Sequence, residues 1–267
     1  MELAEFAALH RPALEANPVR HNVILALLDQ AQAMPDHNCL FWSLGEPGAC
    51  AIKTPQPGRG IMLGELNEAQ CAELARMTAS LDYPSVAGPD DSPKWFVAAA
   101  EALGLRFRLG HAQRIHALSR PPTRPDAPGL ARLATMDDAD LVLAWMAAFR
   151  DEAAPEDPPS RREHAEETIR QGRRWLWEVD GAPMSVAGLA RRLKTCAAIA
   201  PVYTPPEHRA KGYAGAVTAA VVDAIFAEGR GTACLYTDLA NPYANRCYAK
   251  LGFEPVCDAW AYQRATN

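Results

Sequence analysis

The chain has 267 residues, 49% of them apolar and 22% charged, enough apolar material for one large core or two average ones and too little charge for a disordered chain. Its net charge is -5, and no Lys/Arg run exceeds two residues, so it has no electrostatic footprint for nucleic acid. The seven cysteines form no C-x-x-C pair, and the first twenty residues carry acids and lack an apolar core; no zinc motif, disulfide framework or signal peptide is therefore expected, and the cytoplasm is the expected compartment, with no membrane partner.

In chain order, helical stretches to about residue 34 precede short apolar runs at 39–45, 49–54 and 61–66 that read as strands. Helices are expected at about 67–80 and 92–103, and a strand-like stretch over 105–118 ends this half. Four prolines and a glycine in residues 119–129 preclude helix and read as an interdomain linker. The expected division is therefore an N-terminal α/β domain over 1–118, a linker over 119–128 and a C-terminal domain over 129–267.

The second half opens with a short strand, then a helix from Met136 with aspartates in its first turn. A second helix runs from Ser160 to Gly172. Three strands follow, the first two joined by Asp180-Gly181, a favoured hairpin dipeptide. Next come "PPEHRAKGYAGA" (205–216), a helix over 212–228, a strand over 232–239, a helix over 242–251 and two final strands around 253–264. The order resembles that of the first half and suggests a diverged duplication.

The segment 205–216 carries the chain from a strand ending at Thr204 into a helix, with Gly212 at the turn. The free N–H groups of a helix's first turn bind phosphate, Gly212 lets an anion approach the backbone, and Arg209 and Lys211 add local charge. Neither a P-loop nor a G-x-G-x-x-G fingerprint is present. The arrangement Arg209-x-x-Gly212-x-Ala214 after a strand instead resembles the acetyl-CoA motif of the GNAT acetyltransferase superfamily, [Q/R]-x-x-G-x-[G/A]. Residues 239–253 are similar to that family's next motif, an Asn (Asn241) opening a helix with a Tyr (Tyr248) seven residues on.

The resemblance covers about residues 129–267. It implies an α/β (α+β) fold of GNAT type, a mixed and mostly antiparallel sheet flanked by helices, here in two tandem units. It also implies acetyl-CoA as donor, a small-molecule amine as acceptor and direct attack of that amine on the thioester. Val202, Tyr203 and Thr204 would then contact the pantetheine arm, on a strand that Pro201 fits to a splayed position. The backbone at Ala210, Lys211, Gly212, Tyr213, Ala214 and Gly215 would surround the pyrophosphate, with Arg209 and Asn241 also contacting the cofactor. Tyr248 aligns with the general acid, and its phenol, with a pKa of about 10, is protonated at neutral pH. No carboxylate lies on the strand 195–204 where some relatives carry a base; Glu178, Asp238 and Glu207 remain open for that role. The competing class is a non-catalytic acyl-CoA-binding or regulatory protein. Read singly, Gly212 is a turn residue, Asn241-Pro242 an ordinary helix start, and Tyr248, Trp175 and Trp177 core residues. The first half has acids where the motif would fall and is not expected to bind the cofactor; a wall for the acceptor or a dimer surface is the expected use.

Overall fold

In the computed structural model, which describes residues 1–34, 38–55, 59–155 and 158–265, the chain divides into two units. Met1–Ile115 with Val256–Asn267 forms the first, and His116–Pro255 the second.

The first unit contains α1 (Leu3–Ala16), α2 (Asn22–Ala33), β1 (Leu40–Ser43), β2 (Cys50–Lys53), β3 (Ile61–Leu63), α3 (Glu68–Thr78), β4 (Ser85–Pro89), α4 (Ser92–Ala102) and most of β5 (Phe107–Leu118). β4 has no counterpart in the sequence reading: it is five residues long and carries a Gly and a Pro, which mute its strand signal. α3 starts where the sequence places it, because Asn67 accepts from the Gln70 amide while the Gln70 side chain accepts from the Asn67 amide. The unit packs around Tyr83, Phe96 and Phe107, whose rings lie 6.3 to 6.4 Å apart, with Leu63 and Leu74 fully buried beside them.

The second unit contains β6 (Leu130–Leu133), α5 (Ala139–Ala153), α6 (Arg162–Arg170), β7 (Arg174–Val179), β8 (Ala182–Arg192), β9 (Cys196–Tyr203), α7 (Tyr213–Ala227), β10 (Thr232–Asp238) and α8 (Pro242–Leu251). One last strand, β11 (Glu254–Arg264), replaces the expected pair; it starts in the second unit and pairs antiparallel with β4 in the first. The first unit's strands run in the order β1-β2-β3-β4-β11-β5 and the second's β10-β9-β8-β7-β6. Each unit has one parallel pair spanned by a helix, β3-α3-β4 and β9-α7-β10, among antiparallel neighbours. The mixed, mostly antiparallel sheet flanked by helices, in two tandem units, is thus the fold that the sequence implied.

Two boundaries differ from the sequence reading. The division falls at 115/116, and the chain from Val256 to Arg264 returns to the first unit through the β4 ladder, a non-local pairing that no local pattern announces. The proline-rich segment 119–128 is not a free linker but part of the second unit. The Thr123 amide donates to the Leu251 carbonyl, Arg124 pairs with Asp223, and Trp177 Nε1 donates to the Pro128 carbonyl. Asp180 and Gly181 adopt positive φ of 50° and 79°, the hairpin turn that their identities predict.

The second unit's sheet is covered on both faces. On one, α7 buries Val217, Val221, Val222 and Ile225 against Ala187, Leu189 and Ile199, each side chain contributing about 1.5–3 kcal/mol. On the other, α5 and α6 cover Leu176, Val186 and Tyr203. Trp175 and Trp177 are half-buried and pack against the α7 face of the core.

Candidate active site

The β9-β10 ladder sets the geometry. Its pairs run from Cys196↔Thr232 to Ile199↔Leu235 and stop there, although β9 continues to Tyr203 and β10 to Asp238. On its other edge β9 remains paired with β8, as Val202↔Ala187 and Tyr203↔Val186, across two register shifts that bracket Leu189. Two parallel strands thus separate at Ala200-Pro201, the splay that Pro201 foreshadows.

Beyond Tyr203 the chain is pinned before it enters α7. Ser185 Oγ donates to the Tyr203 carbonyl, so the Thr204 hydroxyl, 2.8 Å from that Oγ, donates to it. Arg209 Nε donates to the Thr204 carbonyl at 2.9 Å, and its Nη2 bonds both carboxylate oxygens of Glu152 at 2.9 and 2.7 Å. Glu152 also accepts from the Tyr203 hydroxyl at 3.3 Å. Arg209 is therefore a clamp between α5 and the turn, not a free cation. Lys211, exposed, reaches the Glu207 carbonyl at 3.3 Å.

The turn itself holds Ala210 and Gly212 at positive φ, 62° and 84°. Gly212 is the N-cap of α7, and no side chain caps the helix. The first helical bond runs from the Ala216 amide to the Gly212 carbonyl, which leaves the amides of Tyr213, Ala214 and Gly215 to be satisfied from outside the helix. Such free amides and the positive end of a helix dipole are able to receive an anion. Gly212 and Gly215 also lie under Pro125, where added Cβ atoms would come within 3.6 and 3.4 Å of it.

The β10 side carries residues that sequence reasoning missed. Thr237 donates to Asn245 Oδ1 at 2.6 Å, Asn245 Nδ2 donates to the Asp238 carbonyl, and His116 Nε2 lies 3.1 Å from Thr237 Oγ1. Because the hydroxyl's proton goes to Asn245, His116 must donate through Nε2. The only sequence signal was an eight-residue step from Thr237 to Asn245 across a strand end and a helix start.

Asn241 caps α8, its Oδ1 accepting from the Ala244 amide at 3.0 Å. Tyr248 is 9% exposed and packs edge-on against Phe253, ring centroids 6.0 Å apart. Burial, with the Cys247 thiol beside it, pushes its phenol well above the ordinary value, against a smaller opposing pull from Thr218. Of the three candidate bases, Glu178 is ion-paired with Arg132, and Asp238 Oδ1 accepts from the Ala240 amide. Glu207 stays exposed in the turn.

Comparison with known proteins agrees with this fold. Residues 140–253 match the family model "Acetyltransferase (GNAT) family". No curated protein matches the chain. Among solved structures, a putative GNAT-family acetyltransferase from Novosphingobium aromaticivorans is 21% identical (TM-score 0.53; 81% of this chain, 89% of that one). A Drosophila protein is 12% identical, with a TM-score of 0.71 over 100% of this chain and 97% of its own. A tandem GNAT protein from the clavulanic acid biosynthesis pathway, solved without acetyl-CoA, is 15% identical (TM-score 0.53; 90% and 87%). The second unit thus carries a GNAT acetyltransferase domain, a fold that supports acyl transfer.

Proposed function

We propose that the protein is an acetyl-CoA-dependent N-acetyltransferase acting on a small-molecule amine in the cytoplasm, with donor binding and catalysis in the second unit. One observation carries the reading: β9 loses β10 as a partner after Ile199 and, thirteen residues on, the chain enters α7 through a glycine N-cap that no side chain fills. An opened strand edge followed by an uncapped helix start fits an extended arm ending in a pyrophosphate.

When bound, acetyl-CoA would supply the activated acyl thioester. Val202, Tyr203 and Thr204 would line the arm. The amides from Ala210 to Gly215 would receive the pyrophosphate, with Lys211 as mobile counter-charge. Arg209 contributes by fixing the turn through Glu152, and Asn241 by holding the start of α8 beside the splayed strands' ends. Tyr248 holds its proton throughout neutral pH and would release it to the departing sulfur. The acidic net charge favours a small amine over nucleic acid.

The competing reading, an acyl-CoA-binding protein without turnover, is favoured by one observation, the engagement of Glu178 and Asp238 in structural bonds. Titration calorimetry with acetyl-CoA tests the donor site, using Gly212→Glu, verified as folded, as control. Micromolar binding lost in the variant supports the cradle; equal binding removes it. Thiol release with a panel of amines then separates enzyme from binding protein.

A further inference from the structure

Arg174 begins β7, and strand alternation puts it on the face with Leu176, under α5 and α6. It is 3% exposed. A guanidinium has five N–H donors. Here Nη1 donates to the Arg173 carbonyl at 3.2 Å, Nη2 lies 3.9 Å from Met146 Sδ, and Nε has no partner. Among the described residues no carboxylate pairs with it.

Its path is cleared by a glycine. Arg174 lies opposite Gly188 in the β7-β8 ladder, and a Cβ on Gly188 would stand 1.9 Å from Arg174 Nη1 and 3.1 Å from the Ala200 carbonyl oxygen. The guanidinium therefore reaches over β8 toward Ala200, the first residue of β9 past the end of its ladder with β10. Burial, then the neighbouring Arg173, lower its pKa to about 10, so it is charged at neutral pH. A buried charge without a counter-ion works against folding, and an anionic ligand group would supply the missing partner.

We infer that Arg174 is a specificity residue that anchors a carboxylate on one of the two substrates, the amine or the acyl group. The inference rests on the proposed transfer, because Ala200 belongs to the strand assigned to the donor. A carboxylate is the fitting partner: it is planar, matches the guanidinium fork and is small enough to enter beside Met146, whose flexible thioether would move to admit it.

The test is Arg174→Met in the full chain, which keeps the packing and removes the charge. Urea unfolding is expected to show the variant as stable as the wild type or more so; a clear loss of stability would mark Arg174 as structural and overturn the inference. Acetyl-CoA with glycine and β-alanine, against ethylamine and propylamine, tests the acceptor arm. Malonyl-CoA and succinyl-CoA against acetyl-CoA, read by calorimetry, test the acyl arm without requiring turnover. Ligand-induced thermal shifts in the presence of coenzyme A give the acceptor arm a binding readout too. A carboxylate preference of about 10- to 100-fold in one arm, levelled in the variant, supports the anchor. No preference in either arm, or one that survives in Arg174→Met, overturns it. Failure of the wild type to bind any acyl-CoA sinks the donor-site reading and this inference with it, whereas acyl-CoA binding without any carboxylate effect sinks this inference alone.

Discussion

Gly188→Ala tests the arrangement around Arg174 directly. Gly188 does not have a positive φ, and glycine within a strand normally costs roughly 0.5–1 kcal/mol relative to alanine, so the substitution should stabilise an empty site. Here the new Cβ would stand 1.9 Å from Arg174 Nη1 and 2.9 Å from its Cζ, with the Ala200 carbonyl at 3.1 Å closing the far side. The guanidinium must withdraw, and overpacking of a buried site typically costs about 1–3 kcal/mol. The net expectation is destabilisation by about 1–2 kcal/mol in the wild type and none, or a small gain, in Arg174→Met. The two substitutions are therefore coupled by roughly 1–3 kcal/mol. Arg174→Met alone is expected to gain up to about 3 kcal/mol, the equivalent of a guanidinium that burial lowers to about 10. Urea melts give the cycle, and hydrogen exchange of the β8 and β9 amides assigns the change to the second unit, since two units need not unfold together. Equal costs of Gly188→Ala in both backgrounds would refute the argument that this glycine exists to admit the arginine.

Tyr248→Phe keeps the ring against Phe253 and removes the proton; turnover is expected to fall 10- to 100-fold or more with acetyl-CoA affinity unchanged, and unaltered turnover would remove Tyr248 from the chemistry. In the first unit, burial lowers the His21 pKa from 6.5 to about 4, partly offset by Glu65 and reinforced by Arg20. A depressed folded pKa means that the unfolded chain takes up the proton first. The stabilisation is complete above pH 6.5 and is lost as pH falls toward 4, by about 3 kcal/mol at most. His21→Gln should flatten that part of the pH–stability curve, and an equal slope in the variant would refute the assignment.

The sequence showed the site's local parts and hid its long-range ones. Gly212, Asn241-Pro242 and Gly252 mark helix ends through their own backbone preferences, and the helices start and stop where these residues put them. The end of the β9-β10 ladder depends on strands about 36 residues apart, and only Pro201 hinted at it. The pairing of Arg209 with Glu152, 57 residues away on α5, is likewise announced by no local pattern. The prolines of 119–128 reported their local conformation correctly, but proline content does not reveal that Thr123, Arg124 and Pro128 bond to the second unit. Arg174 was not legible: with Trp175 and Trp177 read as core, alternation puts it on the opposite face, and no local pattern shows that α5 and α6 cover that face.

The two units share a strand-helix-strand crossover yet differ at the residues that decide whether an anion can enter it. At α3 the Asn67–Gln70 box already satisfies an amide of the helix's first turn, Glu68 stands in that turn, and Glu65 two residues before the cap is paired with Arg20. At α7 the cap is Gly212, no side chain satisfies the first turn, and the residue before it is Lys211. An N-terminal turn that is capped by its own side chains and flanked by acids repels a phosphate; one that is uncapped and flanked by a base attracts it. The shared topology therefore does not imply a shared ligand. The physical difference behind the proposed placing of the donor in the second unit lies in a few residues at one helix end.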